Sequence, residues 1–513
     1  MKILSSEQIR KADEWTIAHE PVSSINLMER AAWAFVEALQ GGSFSEGNSA
    51  YEVYCGPGNN GGDGLAIARL LLEQGCKVSV FLLPSEKHSP DYKENLSRLQ
   101  KPGTGKVSIS DSFPALKPAD ENNPSEKRIL IDALFGTGLN KPLEGTAAEW
   151  VAYINRQKCK VIAVDIPSGL PADLRFLPGT NVVKAQYTFT FQVPKLSFFL
   201  SDNAPFVGHF RVLNIRLDEH FISSQPSSYT YVDKAYASTL LAPRAKFSHK
   251  GNYGHALLIA GSYGKIGAAV LAVKACLRSG AGLVSAQIPS CGYTIMQSTA
   301  PEAMVYADEE ERIISSHVHL DPFQAIGIGP GIGLDKQTGN ILKLLIQQSA
   351  IPLVIDADAL NILSQNKTWL SFLPKGSILT PHPKEFERLS GKKGNSYDRL
   401  EWQKEFSLKY GVYIVLKGAH TSISCPGGEV FFNSSGNPGM AKGGTGDVLT
   451  GILTGLLAQG YVPQEAAVFG VYLHGLAGDI AARHMSMEAM TAGDLIAALG
   501  EAFHQLHELI QIA

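Results

Sequence analysis

The sequence predicts two α/β domains in tandem, each with a largely parallel sheet and helices on both faces. Three observations carry this. Apolar runs of strand length recur without in-out alternation, as strands buried on both faces require. Amphipathic stretches of helical length separate most of these runs, the grammar of strand-loop-helix units. And at 513 residues the chain exceeds one ordinary domain.

Taken in order, Ser6 to Gln40 reads as two helices broken near Glu20-Pro21, with Ser6 at a capped start. The strand candidates that follow are Tyr51–Cys55, Val78–Leu83, Ile129–Asp132 and Val161–Asp165. Gln186–Gln192 and Gly208–Ile215 come next without long helices between them. From Leu217 to Asn252 the character changes to a polar, aromatic stretch and then a basic, glycine-bearing one. This reads as a linker and the entry to the next domain. The boundary is set near 220, giving domains 1–220 and 221–513. The pattern then restarts with HALLIAG, GLVSAQI, FQAIGIG, PLVIDAD, SILTPH and VYIVLKG.

Composition narrows the function. With 44% hydrophobic and 18% charged residues the chain has the balance of a globular protein with large cores. A net charge of −3 offers no basic excess for a phosphate backbone, so no nucleic-acid partner is expected. The six cysteines (Cys55, Cys76, Cys159, Cys276, Cys291, Cys425) lack the short spacing of a zinc site or redox dithiol and read as free thiols. The polar start MKILSSEQIRKADEW lacks a signal-peptide core, and no run approaches the roughly 18 apolar residues of a membrane span. A cytoplasmic location with no membrane partner is expected.

In the first half, GPGNNGGDG reads as a glycine-rich loop between a strand and an amphipathic helix, and Gly56, Gly58 and Gly61 satisfy GxGxxG. A dinucleotide fingerprint fits poorly. Leu65 stands where a small residue is wanted, Asp63 lies where a pyrophosphate would pass, and the next strand ends in Leu83-Pro84 without an acid. Two further strands end in acids, at Asp132 before Gly136 and Gly138, and at Asp165 before Ser168 and Gly169. Either aspartate alone would cap the next helix. Three such strand ends together, with Asn60 and Asp63, mark the crevice where open parallel sheets bind ligands.

In the second half, GNPGMAKGGTGDVLTGILTGLLAQG combines glycines at a helix start with Asp447 in the first turn. Backbone amides there attract an anion. An adjacent carboxylate either caps the helix or takes the proton from a hydroxyl attacking a phosphoryl group.

These motifs carry resemblances. GPGNNGGDG, IDALFGTGL, VDIPSGL and FQVPK resemble the NAD(P)H-hydrate epimerase domain over nearly the whole first half. HKGNYGHALLIAGSYGKIGAAVLAVKACLRSGAGLV, IGIGPGIG, VIDADALNIL, LTPHPKEFERL, KGAHT and GGTGD resemble, in order, the ribokinase-like NAD(P)H-hydrate dehydratases from about His249 onward. The implied folds are a Rossmann-like three-layer α/β domain followed by a ribokinase-like one. The implied activity is repair of hydrated NADH and NADPH. The first half interconverts the R and S hydrates, and the second dehydrates the S form at the expense of ADP or ATP.

The resemblance also implies residues. In the first half it implies K+ on Asn60, Asp132 and Ser168, and hydrate contacts from Asn59, Asn60, Gly61, Gly62, Asp63, Gly136, Thr137, Gly138, Leu139, Asn140, Lys141, Pro142 and Asp165. Asp165 is the candidate acid/base. In the second half the hydrate would lie on Ala269, Gly331, His382 and Asp447, with Asp447 as the base. The nucleotide, with Mg2+, would lie on Lys417, Gly418, Ala419, His420, Thr421 and Gly446. Two positions depart from the family pattern, Lys442 for a small residue and His420 for glycine. Expected partners are the hydrates, ADP or ATP, and further copies of the chain in a homo-oligomer. Two alternatives share parts of the pattern: a small-metabolite kinase in the second half, distinguished by a stable phosphoester product, and a non-catalytic nucleotide-binding module in the first.

Overall fold

The structure, a computed structural model, describes residues 1–512 except 42–48, 102–106, 113–127, 140, 174 and 176–178. It divides into two compact units, Lys2–Ser227 and Ser228–Ala513, the latter with Met1. The first unit extends past 220 because the helix Glu219–Ser224 is tied back into it. Asp218 N donates to Thr16 Oγ1 at 3.1 Å and Phe221 stacks on Trp15.

The first unit holds a sheet of seven strands: β1 Ala50–Cys55, β2 Lys77–Leu82, β3 Ser108–Ser110, β4 Arg128–Ala133, β5 Lys160–Val164, β6 Tyr187–Phe191 and β7 His209–Leu213. The order is β3-β2-β1-β4-β5-β6-β7, and every pairing is parallel. Its central strands are covered twice, which explains their non-alternating sequence. Val53 of β1 packs with Phe35 and Leu65 on one face. Its neighbour Tyr54 packs with Trp150 on the other, the rings edge-on at 5.9 Å. The Ser6–Gln40 region is two helices, Ser6–His19 and Ser24–Gln40. The first is capped by Ser5 rather than Ser6, in a capping box with Gln8.

The second unit holds ten strands: β8 Tyr229–Val232, β9 His255–Ile259, β10 Leu283–Ile288, β11 Met304–Ala307, β12 Ala325–Ile328, β13 Leu353–Ile355, β14 Ile378–Leu379, β15 Tyr413–Leu416, β16 Ser422–Ser424 and β17 Val430–Asn433. Their order is β11-β10-β9-β12-β13-β14-β15-β16-β17-β8. The sheet is parallel from β11 to β15, while β16 runs antiparallel to both of its neighbours. The stretch read as a linker contains β8, which pairs parallel with β17. Leu258 and Leu257 of β9 enter separate cores on the two faces. One face is covered by Ile266–Arg278, Thr445–Ala458, Pro463–Met485 and Ala492–Ile512; the other includes Lys336–Gln348 and Ala357–Gln365.

Candidate active sites

In the first unit the carboxyl ends of β1, β4 and β5 open on a cleft of about 960 Å³. Two glycines of GPGNNGGDG exist for close approach. A Cβ on Gly56 would lie 1.7 Å from Leu134 O, and one on Gly61 would lie 1.7 Å from Gly56 O. The Asn59–Asp63 stretch is therefore not a loop but the first turn of the helix Asn59–Glu73, pressed against the sheet. Gly58 at its N-cap offers no side-chain bond.

Asn59, Asn60, Asp63, Gly136, Thr137, Gly138, Leu139 and Asp165 all line the cleft. Gly61 and Gly62 are buried behind it, and Lys141 and Pro142 are exposed and outside the lining. Asn140 lies outside the described residues.

Asp165 follows the end of β5 with φ +66, a left-handed conformation that costs a non-glycine residue about 1–3 kcal/mol. The surroundings hold it there. Its N–H donates to Phe189 O at 2.8 Å. Its Oδ1 accepts from Lys195 Nζ at 2.6 Å, Phe191 N at 3.0 Å and Thr190 Oγ1 at 3.1 Å. Lys195 is 1% exposed and also bonds Thr190 Oγ1, Val193 O and Phe191 O. This buried ammonium was not singled out from sequence. The signal was present in FQVPK, a lysine in the turn that follows a strand, past Gln192, Val193 and Pro194.

Asp132 and Ser168 lie fully buried beside this cleft. Ser168 Oγ donates to Asp132 Oδ1 at 2.6 Å, Ser168 N donates to Oδ2 at 2.8 Å, and Phe135 N donates to Ser168 Oγ at 2.8 Å. Burial raises the Asp132 carboxyl to about 6 against the lowering effect of the Ser168 bonds. Asn60 approaches this cluster from its helix. Its amide atoms lie 3.4 Å from a Cβ placed on Gly136, and its Nδ2 is buried with no hydrogen-bond partner among the described residues.

In the second unit three candidate elements, with Asp356, His382 and Lys417, meet at the ends of β13, β14 and β15. Asp356, after β13, is 1% exposed. Its Oδ1 accepts from Lys417 Nζ and its Oδ2 from Thr450 Oγ1, both at 2.9 Å. Lys417 follows β15 and also faces Glu385 Oε2 at 4.0 Å. Burial lowers its pKa, but Asp356 and Glu385 outweigh that and raise it overall. Its ammonium is thus turned onto carboxylates rather than standing free at the sheet edge.

His382 caps the helix Pro383–Ser390 in a capping box with Glu385. Gly446 touches both partners of the ion pair: a Cβ there would lie 3.6 Å from Asp356 Oδ2 and 3.6 Å from Lys417 Nζ. Asp447 follows in the first turn of Thr445–Ala458, whose N-cap Gly444 has φ +93 and provides no side-chain cap. Burial, then Asp356 and Asp358, raise the Asp447 carboxyl to about 6, with Lys417 opposing.

Ala269 is fully buried beside Gly261, and Gly331, at φ +65, packs on Lys265 and Ala268. The 417–421 turn is closed by Thr421 Oγ1, which bonds Gly418 N and Gly418 O. The two departures from the pattern, Lys442 and His420, are both hydrogen-bonded to backbone carbonyls. Lys442 Nζ donates to Glu488 O and, at 2.8 Å, to Met490 O. The His420 ring bonds Asn433 O through Nδ1 at 3.1 Å.

The comparisons with known proteins follow this division. Residues 24–197 match the model of the YjeF-related protein N-terminus, and residues 256–500 match that of NAD(P)H-hydrate dehydratase. The bifunctional NAD(P)H-hydrate repair enzyme of Moorella thermoacetica is 36% identical, covering 100% of this chain and 98% of that one. Its counterpart from Thermofilum pendens is 35% identical over 99% and 97%. A crystal structure of the Bacillus subtilis ADP/ATP-dependent NAD(P)H-hydrate dehydratase, co-crystallised with ATP/Mg2+, is 30% identical with a TM-score of 0.46. It covers 54% of this chain and 98% of that chain. The chain belongs to the family of bifunctional NAD(P)H-hydrate repair enzymes, an epimerase half followed by an ADP/ATP-dependent dehydratase half.

Proposed function

We propose that Asp165 is the acid/base of epimerisation in the first domain and Asp447 the base of nucleotide-dependent dehydration in the second. The observation that carries the second assignment is the place of Asp447. It lies in the first turn of a helix whose N-terminus has no side-chain cap, next to Gly446 and the Lys417–Asp356 pair. First-turn amides stabilise the charge of a transferring phosphoryl group. Asp447 takes the proton of the hydrate hydroxyl as the hydroxyl oxygen attacks the terminal phosphoryl group, and the bond to the rest of the nucleotide breaks to release AMP from ADP or ADP from ATP. The hydroxyl, a poor leaving group, becomes a phosphate ester. Phosphate then departs with a proton from the neighbouring ring carbon, and the double bond returns.

The hydrate is assigned to Ala269, Gly331, His382 and Asp447, and the nucleotide to Lys417, Gly418, Ala419, His420, Thr421 and Gly446. Mg2+ would travel with the nucleotide phosphates, whose hard oxygens suit it.

In the first domain Asn59, Asn60, Asp63, Gly136–Leu139 and Asp165 would hold the hydrate. Asn60, Asp132 and Ser168 would hold K+. The donor set suits a weakly hydrated monovalent ion: an amide oxygen, a carboxylate and a hydroxyl. The buried Asn60 amide with its unpartnered nitrogen fits too, since a turn of the amide exchanges nitrogen for oxygen. A bound cation would keep Asp132 ionised and fix the loop that follows it.

Homo-oligomeric assembly and a cytoplasmic location complete the proposal. Among the described residues no helix is long and apolar enough to cross a membrane. The deciding experiment mixes both hydrate epimers with the protein, with and without ADP or ATP, and follows each epimer and the return of nicotinamide absorbance. Asp447→Asn should abolish dehydration and spare epimerisation; Asp165→Asn should do the reverse and strand one epimer. Dehydration by Asp447→Asn near the parent rate removes the assignment.

A further inference from the structure

Asp165 is not the only carboxyl group in the epimerase cleft. Asp13 reaches it from a different element, the helix Ser6–His19, on the stripe Ile9-Asp13-Ile17 that lines the same cavity. The start of that helix is fastened to the cleft wall: Ser6 N and Ser6 Oγ both donate to Asp173 Oδ2, at 2.7 and 2.6 Å. The two carboxyl groups differ sharply in their surroundings. Asp165 has three donors on one oxygen, among them a buried ammonium. Asp13 has no hydrogen-bond partner among the described residues, although it is half-buried. A carboxylate so placed lacks the donors that would stabilise its charge; a carboxylic acid there has a proton to give.

We propose that Asp13 is a second catalytic residue of the epimerase, paired with Asp165 so that one protonates the leaving hydroxyl while the other deprotonates the incoming water. The inference rests on the assignment of this cleft to hydrate epimerisation. Hydration of a reduced nicotinamide puts the hydroxyl on the carbon bonded to the ring nitrogen. Asp13 donates its proton to that hydroxyl, and the carbon-oxygen bond breaks to release water. The nitrogen lone pair forms a carbon-nitrogen double bond. Water then adds to the opposite face, and its proton passes to Asp165. One water leaves and one enters. The proton moves from Asp13 to Asp165; the reverse reaction returns it, and in net turnover exchange with solvent resets the pair once product has left.

The electrostatics agree with a shared proton. Burial and then the charge of Asp165 raise the Asp13 carboxyl to about 7, with Lys195 opposing and Glu14 adding slightly. Other charged groups that line the same cleft are Asp63, on the helix Asn59–Glu73, Arg10 and Glu7, on its own helix, and Asp91 and Asp173. Asp63 is itself held well above its usual value by burial, by Asp165, by Asp13 and by Asp91. A pair that shares one proton is competent only between its two macroscopic pKa values. Epimerase kcat/KM should therefore be bell-shaped in both directions and fall above about pH 7 as the shared proton is lost.

The test uses the full chain without nucleotide and measures each epimer separately. Asp13→Asn should lower kcat about a hundredfold or more, leave the hydrate KM within a few-fold, and abolish the alkaline limb. Asp13→Glu should restore part of the rate, with the limb displaced. In ¹⁸O-labelled water, each parent turnover should place one solvent oxygen on the product hydroxyl; retention of the original oxygen overturns the step. If Asp165→Asn is inactive and Asp13→Asn keeps the parent rate and profile, the role of Asp13 is wrong while the site stands. If both keep the parent rate, the assignment of the cleft falls first. If Asp13→Asn fails to fold, Asp13→Glu decides: an unchanged pH profile overturns the proposal, and a displaced limb supports it.

Discussion

The ammonium of Lys195 lies 2.6 Å from Asp165 Oδ1, and the lysine is 1% exposed. A cation this deeply buried needs its partner, because removing one side of a buried pair leaves a desolvated charge. Lys195→Met should destabilise the first domain by about 3–5 kcal/mol and release Asp165 from its left-handed conformation. The expected readouts are a lower Tm and loss of epimerisation, with dehydration of the pure S hydrate unchanged. An unaltered epimerase rate would show that Asp165 does not need this anchor.

Dehydration should follow the ionisation of Asp447. A base must be unprotonated to act, and burial with the charge of Asp356 raises this carboxyl to about 6. The rate should therefore rise about tenfold per pH unit below that value and level off above it. Asp358→Asn removes one of the charges that oppose ionisation, so the limb should move to lower pH. Its side-chain oxygen can still accept the 2.9 Å bond from Gly333 N. A limb that stays in place, or moves up, contradicts this account of Asp447.

Epimerisation should depend on K+. Ser168 Oγ bonds Asp132 Oδ1 at 2.6 Å and is one of three oxygen donors assigned to the ion. Ser168→Ala should raise the K+ concentration needed for half-maximal epimerisation, and Asp132→Ala should weaken hydrate binding most where K+ is present. Full activity of the parent protein in K+-free buffer ends the assignment.

How far the sequence was legible depends on whether a feature is local. Asp132 and Asp165 were visible as acids ending apolar runs, and Asp447 as an acid in a glycine-rich helix start. Those patterns are written in consecutive residues. β16 and β8 were not visible: Ser422–Ser424 and Tyr229–Val232 are short and partly polar, and distant partners make them strands. Asp13, Lys195 and Asp356 were missed for a related reason. Each is ordinary in its own segment and acquires its role only beside a residue far along the chain. Asn59–Asp63 reads as a loop in the sequence, since glycines are poor helix formers; in the structure Gly61 lets the first turn press onto Gly56, which itself packs on Leu134.

The glycine-rich loop before Asp447 has its own anchor in the helix Pro463–Met485. His474 Nε2 bonds Thr445 O at 2.9 Å, and one turn on, Asp479 accepts from Gly436 N and Asn437 Nδ2, both at 2.9 Å. The two side chains thus hold both ends of the GNPGMAKGGTG segment. Burial depresses His474 to about 4, so its ring is neutral wherever the enzyme works and donates from Nε2 to the carbonyl. His474→Ala removes a net hydrogen bond of about 0.5–1.5 kcal/mol, which corresponds to roughly a two- to thirteenfold weaker hold if the loop relaxes by that amount. The loss should appear in the KM for ADP or ATP more than in the KM for hydrate, with no change in the pH profile. His474→Gln, which keeps a donor of similar reach, should recover most of it. If His474→Ala lowers Tm but leaves the nucleotide KM unchanged, the histidine only fills space beneath the loop. A change in nucleotide KM that glutamine reverses requires that it sets the position of the amides beside Asp447.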